Sequence, residues 1–269
     1  MIGFVFSKED PASINVLNNL KKKFEFKILD QKEYDLYIIK TLNVLAFVIE
    51  EDIVDARSLE GVNIPATRLI FVSRHKSESK LPAFLVHFPG LWNKKSRPRL
   101  SIADACMAKK LITLLYKIDK QPPYNEWLIN LEATHHGPID VKVPISFIEI
   151  GSGPEEWEDE TAGKILMQVL VKAVKEESQC ESIVGYGGPH YAPQFTKIAI
   201  NTNFGVGHIM PKYAFNQSSD DAILEAVERT YPRPTMAVID WKGLNSSQRK
   251  RVLSILGNKV IIKKAKEII

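Results

Sequence analysis

Along this chain, short unbroken apolar runs alternate with longer stretches in which apolar residues return every three or four positions. The runs Ile2 to Phe6, Leu45 to Ile49, Leu69 to Val72, Val143 to Ile150, Ile183 to Val184, Lys197 to Ile200, Val206 to Met210, Met236 to Ile239 and Lys259 to Ile262 are rich in β-branched residues. Runs of this kind predict strands covered on both faces. Helices are expected between them. Asp10 as cap and Pro11 in the first turn open one over 11–23, with Ile14, Leu17 and Leu20 turned inward. Ser101 and Asp104, spaced as a capping box, open another that runs to about Tyr116. Thr161 stands where a cap is needed for the strongest helix, in which Ile165, Leu166, Val169, Leu170, Ala173 and Val174 recur at helical spacing. Two more start at Ser219 and at Ser246, the last closing at Gly257. Strands interleaved with amphipathic helices predict an α/β fold, a layered sheet with helices on both sides. With no repeat and no linker-like segment, one domain over 1–269 is the default.

Composition narrows the setting. The chain is 45% hydrophobic and 25% charged, which is enough to build a proper core. No run approaches the roughly 18 to 20 apolar residues of a bilayer span. The start MIGFVFSKEDP turns acidic too early for a secretory leader, so a cytoplasmic location without membrane contact is expected. Cys106 and Cys180 are unclustered, which predicts two packed thiols rather than a disulfide or a metal pair. The excess of 36 Lys and Arg over 32 Asp and Glu gives a formal charge of +4 and permits an anionic partner. Basic residues gather at 21–23, in Lys94-Lys95-Ser96-Arg97-Pro98-Arg99, at 249–251 and between Lys259 and Lys266. Such runs are also the ordinary make-up of a solvated face.

The six histidines, His75, His87, His135, His136, His190 and His208, change the picture more. None lies on a periodic helix face; they stand near strand ends or in glycine and proline-rich turns. His75 follows the run ending at Val72, Glu149 precedes the loop GSGPEEW, and His190 lies in GYGGPHYAPQ. Open α/β sheets bind ligands outside the carboxyl ends of their strands, so these loops are expected to converge on one site. Histidines and a carboxylate gathered in this way suit a hydrolytic reaction, which needs an activated water or nucleophile and donors for the tetrahedral oxyanion. Histidine suits the first task. His136, His190 and Glu149 are the catalytic candidates; Lys76 or the amides of Gly151, Gly153, Gly187 and Gly188 would hold the oxyanion. Neutral imidazoles and a carboxylate also suit zinc, with His75, His135, His136, Glu149, His190 and His208 as possible ligands. Spacing adds nothing to that choice, since HExxH and CxxC are both missing. In an extended strand only one of the adjacent His135 and His136 would face the site, unless the chain bends at Gly137-Pro138. His87 and His208, with apolar neighbours Val86, Phe88, Ile209 and Met210, also read as hydrogen-bonded structural residues. A serine triad from Ser73 or Ser77 with Asp140 lacks the GxSxG elbow, and no dinucleotide or P-loop pattern predicts a nucleotide cofactor. Tyr186, Tyr191, Phe195 and Trp157 are the aromatic candidates for stacking on a terminal base.

The blocks SRHKSESKLPAFLVHFPG (73–90), EATHHGP (132–138), EIGSGPEEW (149–157), GYGGPHYAPQFTKIA (185–199) and GHIMPKY (207–213) together resemble the signature blocks of the archaeal and plant-type D-aminoacyl-tRNA deacylases, in the same order. The resemblance runs over essentially the whole chain. It implies a three-layer α/β/α fold with a mainly parallel mixed sheet, phosphorylase/hydrolase-like and similar to bacterial peptidyl-tRNA hydrolase. It implies hydrolysis of D-aminoacyl-tRNA to tRNA and a D-amino acid, bound zinc and a monomer. Within that expectation, His75, His135 and His208 are the first metal candidates. Ser73, Gly151, Gly153, Gly187, Gly188 and Tyr191 would line the substrate, and Lys94 and Arg97, with Lys95 and Arg99, would hold the tRNA acceptor stem. Peptidyl-tRNA hydrolase or another metal-dependent hydrolase is the nearest alternative, and a non-catalytic tRNA-binding protein the more distant one.

Overall fold

The computed structural model describes residues 1–175 and 179–269. The chain opens with β1 (Ile2–Ser7), α1 (Pro11–Lys23), β2 (Lys27–Gln31), β3 (Asp35–Ile39), β4 (Val44–Ile49), β5 (Arg68–Lys76) and β6 (Ala83–His87). It continues through β7 (Ala103–Asp104), α2 (Ala105–Lys117), β8 (Leu128–Leu131), β9 (Ile145–Ser152), α3 (Pro154–Glu158) and α4 (Glu160–Lys175). It ends with β10 (Glu181–Tyr186), α5 (Pro193–Asn201), β11 (Phe204–Met210), α6 (Asp220–Glu228), β12 (Thr230–Tyr231), β13 (Met236–Ile239), α7 (Ser246–Leu256) and β14 (Ile261–Lys264).

Two sheets form where the apolar pattern suggests one. The larger runs β12-β7-β9-β5-β1-β4-β3-β2, with β6 and β8 branching from β9; the smaller is β11-β10-β13-β14. The centre of the larger sheet, β4-β1-β5-β9, is parallel, and its antiparallel pairs lie at β2-β3-β4 and β6-β9. The small sheet is parallel throughout. The class is therefore the expected one: layered α/β with a mainly parallel mixed sheet. Buried residues from one face of the large sheet, from α1, α2, α4 and α5, and from the small sheet share one core. On its outer side the small sheet packs Val184, Tyr186, Ala237 and Ile239 with residues of α6 and α7. The other face of the large sheet, with Leu45, Phe47, Phe71 and Phe147, is covered by Ile53, Leu59 and Val141 from loops. A sheet face covered by loops is more readily opened into a cleft than one sealed by helices.

Several local expectations are corrected. Lys197 to Ile200 belongs to helix α5, not to a strand: Pro193 opens it and Phe195, Thr196, Ile198 and Ala199 form its buried stripe. α2 is capped by Asp104, whose carboxylate accepts from Met107 N. Ser101 instead donates to Pro89 O. α4 begins at Glu160, with Asp159 accepting from Ala162 N in the role expected of Thr161. Strands β2, β3, β6 and β8 were not anticipated. Cys106 and Cys180 are not separate thiols but a disulfide. Spacing of 74 residues hides the fact that the first turn of α2 packs beside the residue that leads into β10.

Candidate active site

Strand alternation decides which residues reach the cleft. On the loop-covered face, Phe71 and Phe147 stack at 4.7 Å. The next side chains toward the strand ends on that face are Ser73 and His75 of β5 and Glu149 of β9, so the apolar layer passes directly into a polar one. Antiparallel β6 sets His87 opposite Phe147, with the rings stacked at 5.0 Å. The Ser73 hydroxyl donates to Glu149 Oε1 at 2.7 Å, and His87 Nε2 lies 3.2 Å from the same oxygen. His75 turns Nδ1 toward Glu149 Oε2 at 3.4 Å and Glu132 Oε1 at 3.5 Å. Its Nε2 meets the Tyr191 hydroxyl at 3.0 Å. Opposite His75 in the ladder is Gly151, where a Cβ would stand 2.8 Å from His75 Cβ. The glycine's role is this close approach.

Segment 132–138, which follows β8, supplies the rest. Its backbone is tied down on both sides, with Thr134 N donating to Ile209 O, His135 N to Phe88 O and Gly90 N to His136 O. The chain turns at His136 itself, φ +43°, so both neighbouring imidazoles join the cluster rather than one. Their centroids are 4.4 Å apart, and lie 4.4 and 4.7 Å from that of His87. His135 Nδ1–H donates to Ala133 O at 2.8 Å and His136 Nδ1–H to Gly137 O at 2.6 Å. A ring nitrogen that faces a carbonyl carries the hydrogen, which leaves Nε2 of both rings as lone-pair donors. His190, at the mouth, directs Nε2 to Glu132 Oε1 at 3.0 Å and Nδ1 to the Tyr213 hydroxyl at 3.1 Å. The resulting cleft, of about 360 Å³, is lined by His75, His135, His136, Glu149 and His190 together with Asp10, Asp52, Arg74 and Lys76.

The electrostatics follow from burial and crowding. Burial pushes His135 well below its ordinary range, and the nearby His87 and His136 add to the effect. Burial, then His87, takes His136 down to about 4. Burial alone would raise Glu149, yet His87 and His75 beside it hold its carboxyl well below the usual range. Burial likewise opposes charge on His75, but Glu149 and Glu132 raise its pKa. Both nitrogens of His87 and both oxygens of Glu132 are buried without a well-formed hydrogen bond, although Glu149 and His190 stand at ion-pair distance. An unmade buried bond costs about 1–3 kcal/mol, so several in one cleft mark a place prepared for a ligand. Three triads hold their donor atoms within 4.8 Å of one another: His87-His135-His136, Glu132-His135-His190 and His75-Glu132-Glu149.

The structure thus gathers His75, His135, His136, Glu149, His190, Ser73, Tyr191 and Lys76 and leaves other expected residues out. His208 is sealed between the sheets, its Nδ1 bonded to Thr134 Oγ1 and its Nε2 to Ser101 O, both at 3.0 Å. It has no lone pair to offer a metal. The glycine amides expected to cradle an oxyanion are used internally: Gly187 N donates to Met210 O, Gly188 N to Gly243 O and Gly153 N to Glu156 Oε2. Arg97 pairs with Glu225 and Glu228, Arg99 is buried on Glu225, and the Lys94 ammonium donates to Pro98 O. The two arginines are thus neutralised by carboxylates, while Lys94 keeps its charge but is held against a backbone carbonyl. Tyr186 and Phe195 are core residues, and Trp157 spends its indole N–H on His75 O. Sequence reasoning misses Glu132 as a site residue and takes His87 for a structural histidine; both need β6 and β8, whose pairing brings His87 and Glu132 to one end of the sheet.

The family model for D-aminoacyl-tRNA deacylase matches residues 62–262. A D-aminoacyl-tRNA deacylase of Pyrococcus abyssi is 34% identical, with 93% of this chain and 94% of that one covered. One of Staphylothermus marinus is 30% identical over 97% of both. A solved structure described as a conserved protein of unknown function is 28% identical and superposes with a TM-score of 0.90, covering 100% of this chain and 96% of the other. The chain belongs to the D-aminoacyl-tRNA deacylase family.

Proposed function

We infer that the chain hydrolyses the ester bond of D-aminoacyl-tRNA, releasing tRNA and a D-amino acid, as a cytoplasmic monomer that holds zinc at the histidine cluster. The observation that carries the chemistry is the open Nε2 lone pairs of His135 and His136 beside unbonded His87. Each of the two rings is fixed in one tautomer by a carbonyl on its other nitrogen, the support that metal-binding imidazoles need. His87, His135 and His136 would hold the ion; His75, with Nε2 on Tyr191 and Nδ1 between two carboxylates, supports Glu149 instead. Bound zinc supplies a water of lowered pKa and polarises the ester carbonyl.

The remaining residues position and move protons. Water adds to the carbonyl carbon, the bond to the ribose oxygen breaks, and that oxygen must receive a proton. His190 at the mouth, backed by the buried Glu132 carboxylate 3.0 Å behind it, takes a proton from the water and returns one to the leaving oxygen. Ser73 keeps Glu149 in place. With the amides of Gly153, Gly187 and Gly188 occupied and Arg74 paired with Asp52, Lys76 is the cleft-lining cation left to meet the oxyanion. Chirality is selected by exclusion, since a cleft built around one arrangement at the α-carbon clashes with its mirror image. Turnover of D-Tyr-tRNA, L-Tyr-tRNA and N-acetyl-D-Tyr-tRNA, compared directly, tests this reading. Fast release from the D-ester alone is expected; equal release from both enantiomers, or preference for the acylated ester, contradicts it.

A further inference from the structure

At the mouth of the cleft, the proton-handling His190 is joined to an aromatic residue, Tyr213, that hydrolysis itself does not require. Tyr213 is 54% exposed, and among the described exposed tyrosines it alone touches the histidine cluster, through its hydrogen bond to His190 Nδ1. The two ring planes differ by 26° while their centroids stand 6.4 Å apart. A 3.1 Å bond between the ring edges at that separation means that the rings lie side by side, not face to face. They form one aromatic shelf at the entrance, its two rings tilted by 26°. Its position is fixed from below. Lys212 N donates to Gly188 O at 3.0 Å, Gly188 adopts φ +84°, and Gln248 Nε2 holds Lys212 O. The GYGG loop, whose amides are not available to substrate, thus serves to seat the shelf. Lys212 itself is exposed and makes no ion pair among the described residues.

We propose that the His190–Tyr213 shelf is the stacking platform for the terminal adenine of the tRNA 3′ end, with Lys212 placed against the neighbouring phosphate. This rests on the deacylase reading. The ester lies on the terminal ribose, so when its carbonyl is at the histidines the base on that same ribose is the one within reach of the cleft mouth. Every nucleobase offers a π face, and a fixed, tied-down aromatic surface loses little freedom on receiving it.

The test is a binding cycle with uncharged tRNA ending in CCA or trimmed to CC, measured by anisotropy on the wild type, Tyr213→Leu, Tyr213→Phe and Tyr213→Trp. Turnover of D-Tyr-tRNA by the wild type is assayed alongside. Trimming is expected to weaken wild-type binding about tenfold, in line with the loss of one stacked base. Tyr213→Leu should weaken CCA binding by a similar factor and then be indifferent to trimming, while Phe and Trp keep the sensitivity. That non-additivity is a readout a general structural defect would not produce. Equal sensitivity to trimming in Tyr213→Leu and wild type overturns the shelf. So does an effect of Tyr213→Leu on KM that follows the amino-acid side chain rather than the base. Absence of D-Tyr-tRNA turnover by the wild type counts against the deacylase reading, and the binding cycle still decides the shelf.

Discussion

His208 is fully buried and His136 half-buried on the cleft wall, yet burial drives both rings to a pKa of about 4. They differ in what their nitrogens do. His208, in the seam between the two sheets, has both nitrogens bonded and joins Thr134 to Ser101. His136, at the end of the large sheet, uses one nitrogen on a carbonyl and leaves the other toward His87 and His135. Burial and a shifted pKa are shared by a structural histidine and a site histidine; the unspent lone pair separates them. The same contrast holds for cations, with Arg97 bound to two glutamates and Lys212 without an ion pair among the described residues.

The largest effect should come from removing an open nitrogen. His135→Ala or His136→Ala is expected to lower kcat/KM by more than the about 10- to 100-fold that loss of a supporting group costs. Such variants should also copurify with less zinc while their melting temperature changes little. Retention of full zinc and activity would break the distinction drawn between the two kinds of histidine.

His208 should act on stability instead. Its folded pKa of about 4 lies below the ordinary 6.5, so the unfolded chain takes up a proton that the folded chain refuses. The stability is fully present above pH 6.5 and is lost as pH falls toward 4. Over that window the loss amounts to about 3 kcal/mol. Denaturant titrations of wild type and His208→Gln across pH 7 to 4 check it: the variant should be weaker at pH 7 but show a shallower decline. Parallel curves would mean that His208 is not the group responsible.

Smaller effects grade the supporting contacts. Ser73→Ala removes the hydroxyl that holds Glu149 and should lower kcat about tenfold with little change in KM; a change confined to KM would assign Ser73 to substrate binding. Smaller still is the salt dependence of tRNA binding. Lys212→Ala should reduce the slope of log K against log salt by about one, whereas Arg97→Ala, already paired, should leave it nearly unchanged.

Much of the fold was legible because burial writes a period into the chain. α1 falls at 11–23 as its cap and apolar spacing predict, and β1, β4 and β13 coincide closely with their runs. α5 was misread because Lys197 to Ile200 in isolation is as apolar and β-branched as a strand, and only Pro193 and Phe195 upstream reveal the helix. Convergence of His75, Glu149 and His190 was legible from their places after strands. The site's other half was not. β6 and β8 leave the main strand order and pair with each other, so nothing local signals that His87 and Glu132 meet the rest. The left-handed turn at His136 was equally hidden, since a bend was weighed only as an exception and only at the Gly137-Pro138 that follows. Conversely His208, a metal candidate by residue type, is excluded by two hydrogen bonds visible only in the fold.

The most direct test compares zinc content and D-Tyr-tRNA release for wild type, His135→Ala and His208→Gln, each before chelation, after it, and after zinc is returned. Wild type and His208→Gln should carry zinc, lose release on chelation and regain it, while His135→Ala carries little and is not rescued. Release indifferent to chelation, or zinc kept by His135→Ala and lost by His208→Gln, would contradict the assignment of the open histidine nitrogens as the metal-binding heart of the site.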